Sequence, residues 1–435
     1  MDTAAVETVQ PCPECGAEIR GESRFPSWCA VCDWNVDPER PEEKRGRLAE
    51  ARRAQARRHG ERLLAELAAG GTLKARGDSS ARLAFAVALA VHALTLALTA
   101  GGVWFLVGSR GGWGMLPGAF LLALGWSLRP RFDRLPENTP VLRRADAPEL
   151  FALVDEVARV AGTRGVDAVV VDSEINASVQ SYGLRGRRLL TLGLPFWEIL
   201  TPQQRIALLG HEMGHFVNGD TRHGLVVGTA QRSLATWYHY FAPVGADALD
   251  DTDVFTVILN LLYVVPRLLV RGMLTVLDGL TLRSTQRAEY LADRTAARVG
   301  STRAALELME RLLISDSAAV VLQRETNLSA LKGPRGGRDR REAAGRADEL
   351  WQRLAAELAS VPERERERLR RVGALRGHSV DSTHPPTHLR HACLLIGEDV
   401  PPAVVTDDER ERRIAGELAA ARTKVARQIL QDGYQ

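Results

Sequence analysis

Residues 201–219 read TPQQRIALLGHEMGHFVNG, and this stretch predicts a helix that carries two histidines on one face. Thr201 is a favourable N-cap, a proline follows it at the first helical position, and Gln204 stands where a capping box places a glutamine. An Asn-Gly pair then ends the helix. His211 and His215 are four residues apart, a spacing that brings both imidazoles together on a helix.

Two imidazoles in this arrangement are suited to bind one Zn²⁺ ion, and Glu212 between them is placed to act on water as a general base. Histidines that merely face solvent are the alternative. A zinc site of this kind needs a third protein ligand. Glu289 and Asp293 lie one turn apart on a later predicted helix, in the segment EYLAD. We therefore expect Glu289 to complete the metal site and Asp293 to orient a ligand imidazole. A carboxylate pair on a solvated helix face is the alternative.

A second candidate metal site lies near the N-terminus. Cys12 with Cys15, and Cys29 with Cys32, form two Cys-x-x-Cys pairs, a spacing typical of a zinc ribbon. Four thiolates make a closed tetrahedral site, which is structural rather than catalytic. A redox dithiol is the alternative, but no thioredoxin-like pattern surrounds either pair. We therefore expect Zn²⁺ at both sites, one ion catalytic and one structural.

Long uncharged segments predict contact with a membrane. Residues 83–109 contain no Asp, Glu, Lys or Arg and exceed the roughly 20 residues that cross a bilayer. Residues 111–128 are also uncharged, so we predict a transmembrane hairpin within 81–130. Two further apolar stretches, 225–246 and 254–277, are interrupted by arginines. These stretches are either buried helices of the soluble unit or a second membrane hairpin. The chain would have two membrane spans in the first case and four in the second.

The charges around the hairpin predict its orientation. Basic residues flank both outer ends, which by the positive-inside rule places both ends in the cytoplasm. The start of the chain does not resemble a signal peptide, which agrees with a cytoplasmic N-terminus. Over 435 residues, 57 Lys and Arg against 54 Asp and Glu give a net charge of +3. This balance does not favour a nucleic-acid partner.

The remaining pattern is that of an α+β, mainly helical protein. Residues 166–171 and 188–192 are rich in β-branched or apolar side chains and predict strands. Residues 175–183 between them form an edge strand or a loop. Residues 41–69 predict a solvated or membrane-surface helix, since they have high helix propensity and no strong apolar stripe.

HEMGH followed by ExxxD, with apolar helices between them and an apolar N-terminal hairpin, resembles the M48 family of zinc peptidases, and most of all its HtpX-like branch. The resemblance covers roughly residues 80–400, with the cysteine-rich module as an N-terminal extension. It implies a zincin-like metalloprotease domain in which His211, His215 and Glu289 bind zinc and Glu212 is catalytic.

Two weaker motifs agree with this resemblance. Asn176 follows a predicted strand and resembles the family's Asn-Ala element beside the substrate cleft; a plain turn is the alternative. His384 and Arg390 lie in the segment THPPTHLR and resemble the family's His-Pro-…-Arg segment near the active site. A structural turn is again the alternative. The charged segment 316–380, which predicts a loop-rich surface insertion, and the N-terminal extension depart from the family.

The resemblance implies a membrane-bound zinc endopeptidase of a multi-pass cell-membrane type, acting on protein or peptide substrates and serving membrane-protein quality control. The alternatives are a catalytically idle membrane adaptor and a module that binds nucleic acid or protein through the ribbon. The predicted units are a zinc-ribbon-like module (1–40), a basic helical linker (41–80), the hairpin (81–130), an M48-like domain (131–400) and a C-terminal helix (401–435).

Overall fold

A computed structural model describes residues 7–38, 47–70, 79–109, 112–130, 135–183, 185–217, 221–243, 254–331, 340–376 and 385–433. Its strands are β1 (Glu7–Pro11), β2 (Glu18–Glu22), β3 (Val141–Leu142), β4 (Ala168–Asp172), β5 (Ala177–Tyr182) and β6 (Arg187–Gly193). Its helices are α1 (Arg47–Ala68), α2 (Ser79–Gly108), α3 (Met115–Ser127), α4 (Pro148–Ala161), α5 (Leu194–Glu198), α6 (Pro202–Val217), α7 (Thr221–Tyr240), α8 (Val254–Gly300), α9 (Thr302–Leu313), α10 (Ser315–Leu331), α11 (Arg340–Ala359), α12 (Glu363–Arg376), α13 (Thr387–Ile396) and α14 (Asp408–Asp432).

A four-stranded sheet contains the strands predicted from the sequence, in the order β3-β4-β6-β5. Strands β4 and β6 are parallel, and β5 runs antiparallel to β6, with Ala177 opposite Leu192 and Tyr182 opposite Arg187. Of the two alternatives for segment 175–183, the edge strand is therefore confirmed, with β5 covering residues 177–182. Helices α4, α6, α9 and α14 bury their apolar sides in one core with the sheet. The expected α+β, mainly helical fold is confirmed.

Helices α2 and α3 pack against each other, as the predicted hairpin requires. Glycines allow the close approach: a Cβ on Gly102 would lie 2.9 Å from the Leu122 backbone nitrogen, and Gly118 and Gly125 face α2 in the same way. In the described parts of the chain, two helices are long and apolar enough to cross a membrane, α2 and the region Thr256–Gly300 of α8. Helix α3 has 13 residues, or about 20 Å, and is shorter than the hydrocarbon layer.

Helix α7 and the first half of α8 pack beside α2 and form a core separate from that of the sheet. Val91, Leu234 and Leu277 lie in this second cluster. The Trp237 indole donates a hydrogen bond of 3.2 Å to the Leu128 carbonyl at the end of the hairpin. The described residues of the segments 225–246 and 254–277 therefore pack with the hairpin rather than with the core of the sheet domain.

The charged segment 316–380 is not the loop-rich surface insertion predicted from its composition. Its described residues form most of α10 together with α11 and α12. Leu350, Trp351 and Leu354 of α11 lie fully buried in the main core. These apolar residues recur at helical spacing between the charges, and α11 buries them against α5 and α14.

Helix α1 is also packed rather than solvated. Leu63 and Leu67 form a small core with Tyr290 of α8 and Leu389 of α13. Gly60 lets α1 approach closely, since a Cβ there would lie 3.0 Å from the Leu389 side chain. The two leucines are one turn apart, so a narrow apolar stripe is sufficient to dock this basic helix.

Candidate active site

The local sequence positions α6 as expected. The Thr201 backbone N–H donates to the Gln204 side chain at 3.0 Å, and the Gln204 N–H points back to the Thr201 hydroxyl at 3.4 Å. This reciprocal capping satisfies backbone donors that have no partner within the helix. Most of α6 is buried, so the helix that carries both histidines passes through the core.

Glycines in α6 set its distance from α8. A Cβ on Gly214 would lie 2.8 Å from the Ala292 Cα, and one on Gly210 would lie 3.1 Å from the Ala296 Cα. The two backbones therefore touch along a line of small residues. Gly210 was not singled out from the sequence. The signal that could have found it is the recurrence of Ala and Gly at helical spacing in both helices.

This contact brings the three expected metal ligands together. The Nε2 atoms of His211 and His215 are 3.2 Å apart. The carboxylate of Glu289 lies 3.5 Å from the Nε2 of His211 and 3.7 Å from that of His215. One ligand atom from each side chain falls within 4.8 Å of the others. His211 and Glu289 are buried and His215 is half-buried. The group could therefore hold one metal ion, and the site is accessible from the side of His215.

A buried ion pair contacts His211 on the side of its ring away from the other ligands. Asp293 Oδ1 lies 3.0 Å from His211 Nδ1. Arg390 of α13 donates to both Asp293 oxygens, at 2.6 and 2.9 Å. Burial alone would lower the pKa of Arg390, but the attraction of Asp293 holds this pKa above its usual value. The carboxylate can thus fix the His211 tautomer with Nδ1 protonated and Nε2 directed toward Glu289.

Glu212 lies next to this group, beside the edge strand of the sheet. Its side chain is buried, and burial raises its pKa well above the usual value. The neighbouring charge of Glu289 adds to this increase, while the Val179 backbone N–H, which bonds the carboxylate, opposes it. Val179 lies in β5, so the structure places a carboxyl group with a raised pKa beside the edge strand. No motif in the sequence singles out Val179.

The structure places the candidates from the two weaker motifs differently. Asn176 lies just before β5 and is half-buried; its carbonyl accepts a 2.8 Å hydrogen bond from the Gly193 N–H. Gly193 is required there, because a Cβ would meet the Glu174 and Asn176 carbonyl oxygens at 2.0 and 2.3 Å. Arg390 is brought to the site. His384 lies outside the described residues.

The four N-terminal cysteines also converge. Cys12 Sγ is 3.6 Å from Cys32 Sγ, and Cys15 Sγ is 3.5 Å from Cys29 Sγ. All four sulfurs lie within 4.8 Å of one another. The antiparallel pair β1-β2 precedes the second Cys-x-x-Cys turn. The cluster could therefore hold a metal ion of its own.

A buried HExxH helix with a distant carboxylate beside both histidines is typical of metallopeptidases. The family model of peptidase family M48 matches residues 144–395, and the chain belongs to this family. Protease HtpX homolog 1 of Sulfurisphaera tokodaii is 29% identical over 114 residues, which is 26% of this chain and 36% of that relative. The chain thus matches about a third of the relative's length. No solved structure matches.

Proposed function

We propose that the chain is a membrane-bound zinc endopeptidase in which His211, His215 and Glu289 hold Zn²⁺ and Glu212 is the general base. The convergence of these three ligands beside a buried glutamate carries the proposal. A tetrahedral site with Zn–N bonds of 2.0–2.1 Å needs about 3.3 Å between two ligand nitrogens. The 3.2 Å between the imidazoles matches this requirement, so the residues fit the ion.

Zinc held in such a site polarises a carbonyl and makes a water molecule acidic near neutral pH. The residues of the chain supply the remaining steps. Glu212 takes the proton of the attacking water and passes it to the leaving amine. Asp293 and Arg390 keep His211 in one tautomer and one orientation throughout. No serine or cysteine nucleophile is required, and Cys393 serves as a buried core residue.

The substrate is a protein or peptide bound in an extended conformation. Strand β5 has one edge unpaired in the described sheet, and Val179 on this strand contacts Glu212. An extended segment that pairs with β5 would place its backbone along the catalytic carboxyl group. Asn176 precedes the strand, which supports a role for it at the end of this cleft.

We also propose that the enzyme spans the membrane with its N-terminus and catalytic domain in the cytoplasm. Helix α2 and the first half of α8 are long and apolar enough to cross, and each packs beside a second helix, α3 or α7, that would bring the chain back to the same side. Their outer surfaces carry large exposed apolar side chains, among them Leu96, Trp104, Leu261 and Leu269. Such a continuous exposed apolar surface is costly in water and favourable in lipid. Degradation of defective membrane proteins is a function that fits this location.

The N-terminal cysteines are proposed to bind a second, structural Zn²⁺. With Zn–S bonds of 2.3 Å, a tetrahedral site needs about 3.7 Å between sulfurs. The two sulfur–sulfur distances of 3.5 and 3.6 Å in the structure are close to this value. All four positions would be occupied by protein, which leaves no place for a substrate.

The test compares casein cleavage by detergent-purified wild type and Glu212→Gln, with and without a chelator. We expect Glu212→Gln to keep its zinc and lose cleavage, because the carboxamide cannot take the proton. Glu137→Gln, at an exposed position, is the matched control and should cleave like wild type. Equal cleavage by Glu212→Gln and wild type would assign the proteolysis to another group and reject the proposal.

A further inference from the structure

The arginines of α12 bind the cysteine-rich module. Arg371 donates 2.7 Å hydrogen bonds to the Ala30 carbonyl and to the Asp33 carboxylate. Arg368 donates to the Val36 carbonyl at 2.9 Å. We call this the α12 docking face, formed by Arg364, Arg368, Arg371 and Arg376. The charge run that suggested a solvated surface is instead an interface within the chain.

An aromatic anchor lies at the centre of this interface. Trp28 is only 1% exposed and packs with Val36 and with Val372 of α12. The guanidinium groups of Arg364 and Arg371 lie over its ring, 5.3 and 5.0 Å from the centroid. A buried tryptophan between two arginines is the composition of an interface hot spot.

The backbone that α12 contacts is the part whose shape depends on the cysteines. The Cys29 N–H bonds the Trp34 carbonyl, and the Asp33 N–H bonds the Cys29 carbonyl, both at 3.0 Å. Asp33 and Asn35 have φ of 59° and 55°, a left-handed conformation that Asp and Asn adopt more readily than other non-glycine residues, so the loop turns tightly and needs a constraint at the cysteines to keep one shape. A metal ion at the four thiolates would provide this constraint.

The other side of α12 connects to the catalytic site. Arg370 donates to Glu310 of α9 at 2.9 Å, and both α9 and α12 pack against α13, the helix that carries His391. His391 directly follows Arg390, whose guanidinium holds Asp293. Helix α12 therefore contacts the cysteine module with one face and the helix that supports His211 with another.

We propose that the cysteine module is a metal-dependent docking domain, and that its docking on α12 positions Arg390 for peptidase activity. Metal loading of the four cysteines keeps the loop 29–37 in the shape that the docking face recognises. Loss of this ion releases α12 and lowers catalysis while the catalytic ion stays bound. The inference rests on the proposed function for its activity readout, and on a metal ion at the cysteines.

The experiment uses the full chain in detergent with three variants. Cys29→Ser removes a ligand, Arg371→Glu disrupts docking while all cysteines remain, and Arg412→Glu on the exposed side of α14 is the matched charge control. Zinc per chain, deuterium uptake of the α12 peptide 363–376, and kcat and KM on casein are measured for each protein. The double variant Cys29→Ser/Arg371→Glu completes the cycle.

We expect Cys29→Ser to lose one zinc and Arg371→Glu to lose none. Uptake in 363–376 should rise in both, and kcat should fall about fivefold or more in both with little change in KM, a coupling of ordinary size for linked sites. The double variant should be no worse than the more severe single variant. Arg412→Glu should match wild type.

Two results would overturn the inference. One is unchanged uptake in 363–376 after loss of the cysteine-bound ion. The other is full activity of Arg371→Glu despite increased uptake, which would separate docking from catalysis. A failure of the proposed function looks different: wild type would not cleave, or Glu212→Gln would cleave equally. Metal content and uptake would still decide whether docking depends on the metal.

Discussion

Replacing Gly214 with alanine should damage the catalytic site without removing any ligand. The added Cβ would lie 2.8 Å from the Ala292 Cα, 3.1 Å from its Cβ and 3.2 Å from the Thr295 Cβ. The nearest atom belongs to backbone, which cannot rotate away. Carbon atoms in ordinary contact are 3.5–4.0 Å apart, so α6 and α8 must separate by about 0.7 Å or more.

The expected magnitude follows from two opposing contributions. Overpacking of this kind costs about 1–3 kcal/mol, and alanine in place of glycine returns about 1 kcal/mol through helix propensity. The net change in the free energy of unfolding is therefore a loss of about 0–2 kcal/mol. Activity should suffer more, because Glu289 is three residues before Ala292 and moves with it. A displacement approaching 1 Å at a catalytic group costs about a hundredfold in rate.

The assay measures kcat/KM on casein, zinc content and the thermal midpoint of the same detergent-purified samples. Gly416→Ala on α14 is the matched control, because nothing lies within 4 Å of the Cβ it would add. This variant should gain up to about 1 kcal/mol of stability and keep full activity. If Gly214→Ala also melts at a higher temperature than wild type and cleaves as fast, the close helix contact does not control the site.

Three further predictions concern other parts of the structure. Asp293→Asn should weaken zinc binding about 10–100-fold in a competition titration and lower the thermal midpoint, because it leaves the buried guanidinium of Arg390 without its countercharge; wild-type affinity would contradict the role given to Asp293. Burial raises the pKa of Asp172 to about 6, so its contribution to stability is present at pH 4 and is lost as the pH rises through 6. Asp172→Asn should therefore melt higher than wild type at pH 7.5 and equally at pH 4, and equal melting at both would exclude this charge effect. Gly102→Leu should separate α2 from α3 and lower the midpoint, whereas Gly108→Leu, with no atom near its Cβ position, should not; similar midpoints would indicate that the hairpin contact contributes little.

The parts of the fold that the sequence predicted are those encoded within a few residues. The capping pattern at Thr201 and Gln204 determines where α6 begins, and the i, i+4 spacing places both histidines on one face. The strands 168–172 and 187–193 contain short, mainly apolar runs, AVVV and LLTL, that suit a buried sheet. Such features depend on local geometry, so a single sequence displays them directly.

The features that were not predicted depend on contacts between distant segments. Arginine can bury its alkyl stem while its guanidinium bonds backbone carbonyls, and this leaves no apolar periodicity in the sequence. Composition alone therefore predicted a solvated run where α12 binds Trp28. Helix α1 was mispredicted for a similar reason, since two leucines are enough to dock it on α13. A single sequence does not show which carbonyls will lie opposite α12 or which apolar surface will lie opposite α1.

The long helix α8 connects the candidate membrane span to the metal site. Its 47 residues extend over about 70 Å; its first half is apolar and exposed, and its second half carries Glu289 and Asp293. From Leu277, the last residue of the apolar run, to Glu289 is about 18 Å along the axis. The proposed metal carboxylate thus belongs to the same continuous helix as a candidate membrane span, whereas both histidines belong to α6. The line of glycines and alanines between α6 and α8 is where these two parts meet, and a metal site shared across it requires that line to remain closed. This is why a single methyl group at Gly214 should affect catalysis more than stability.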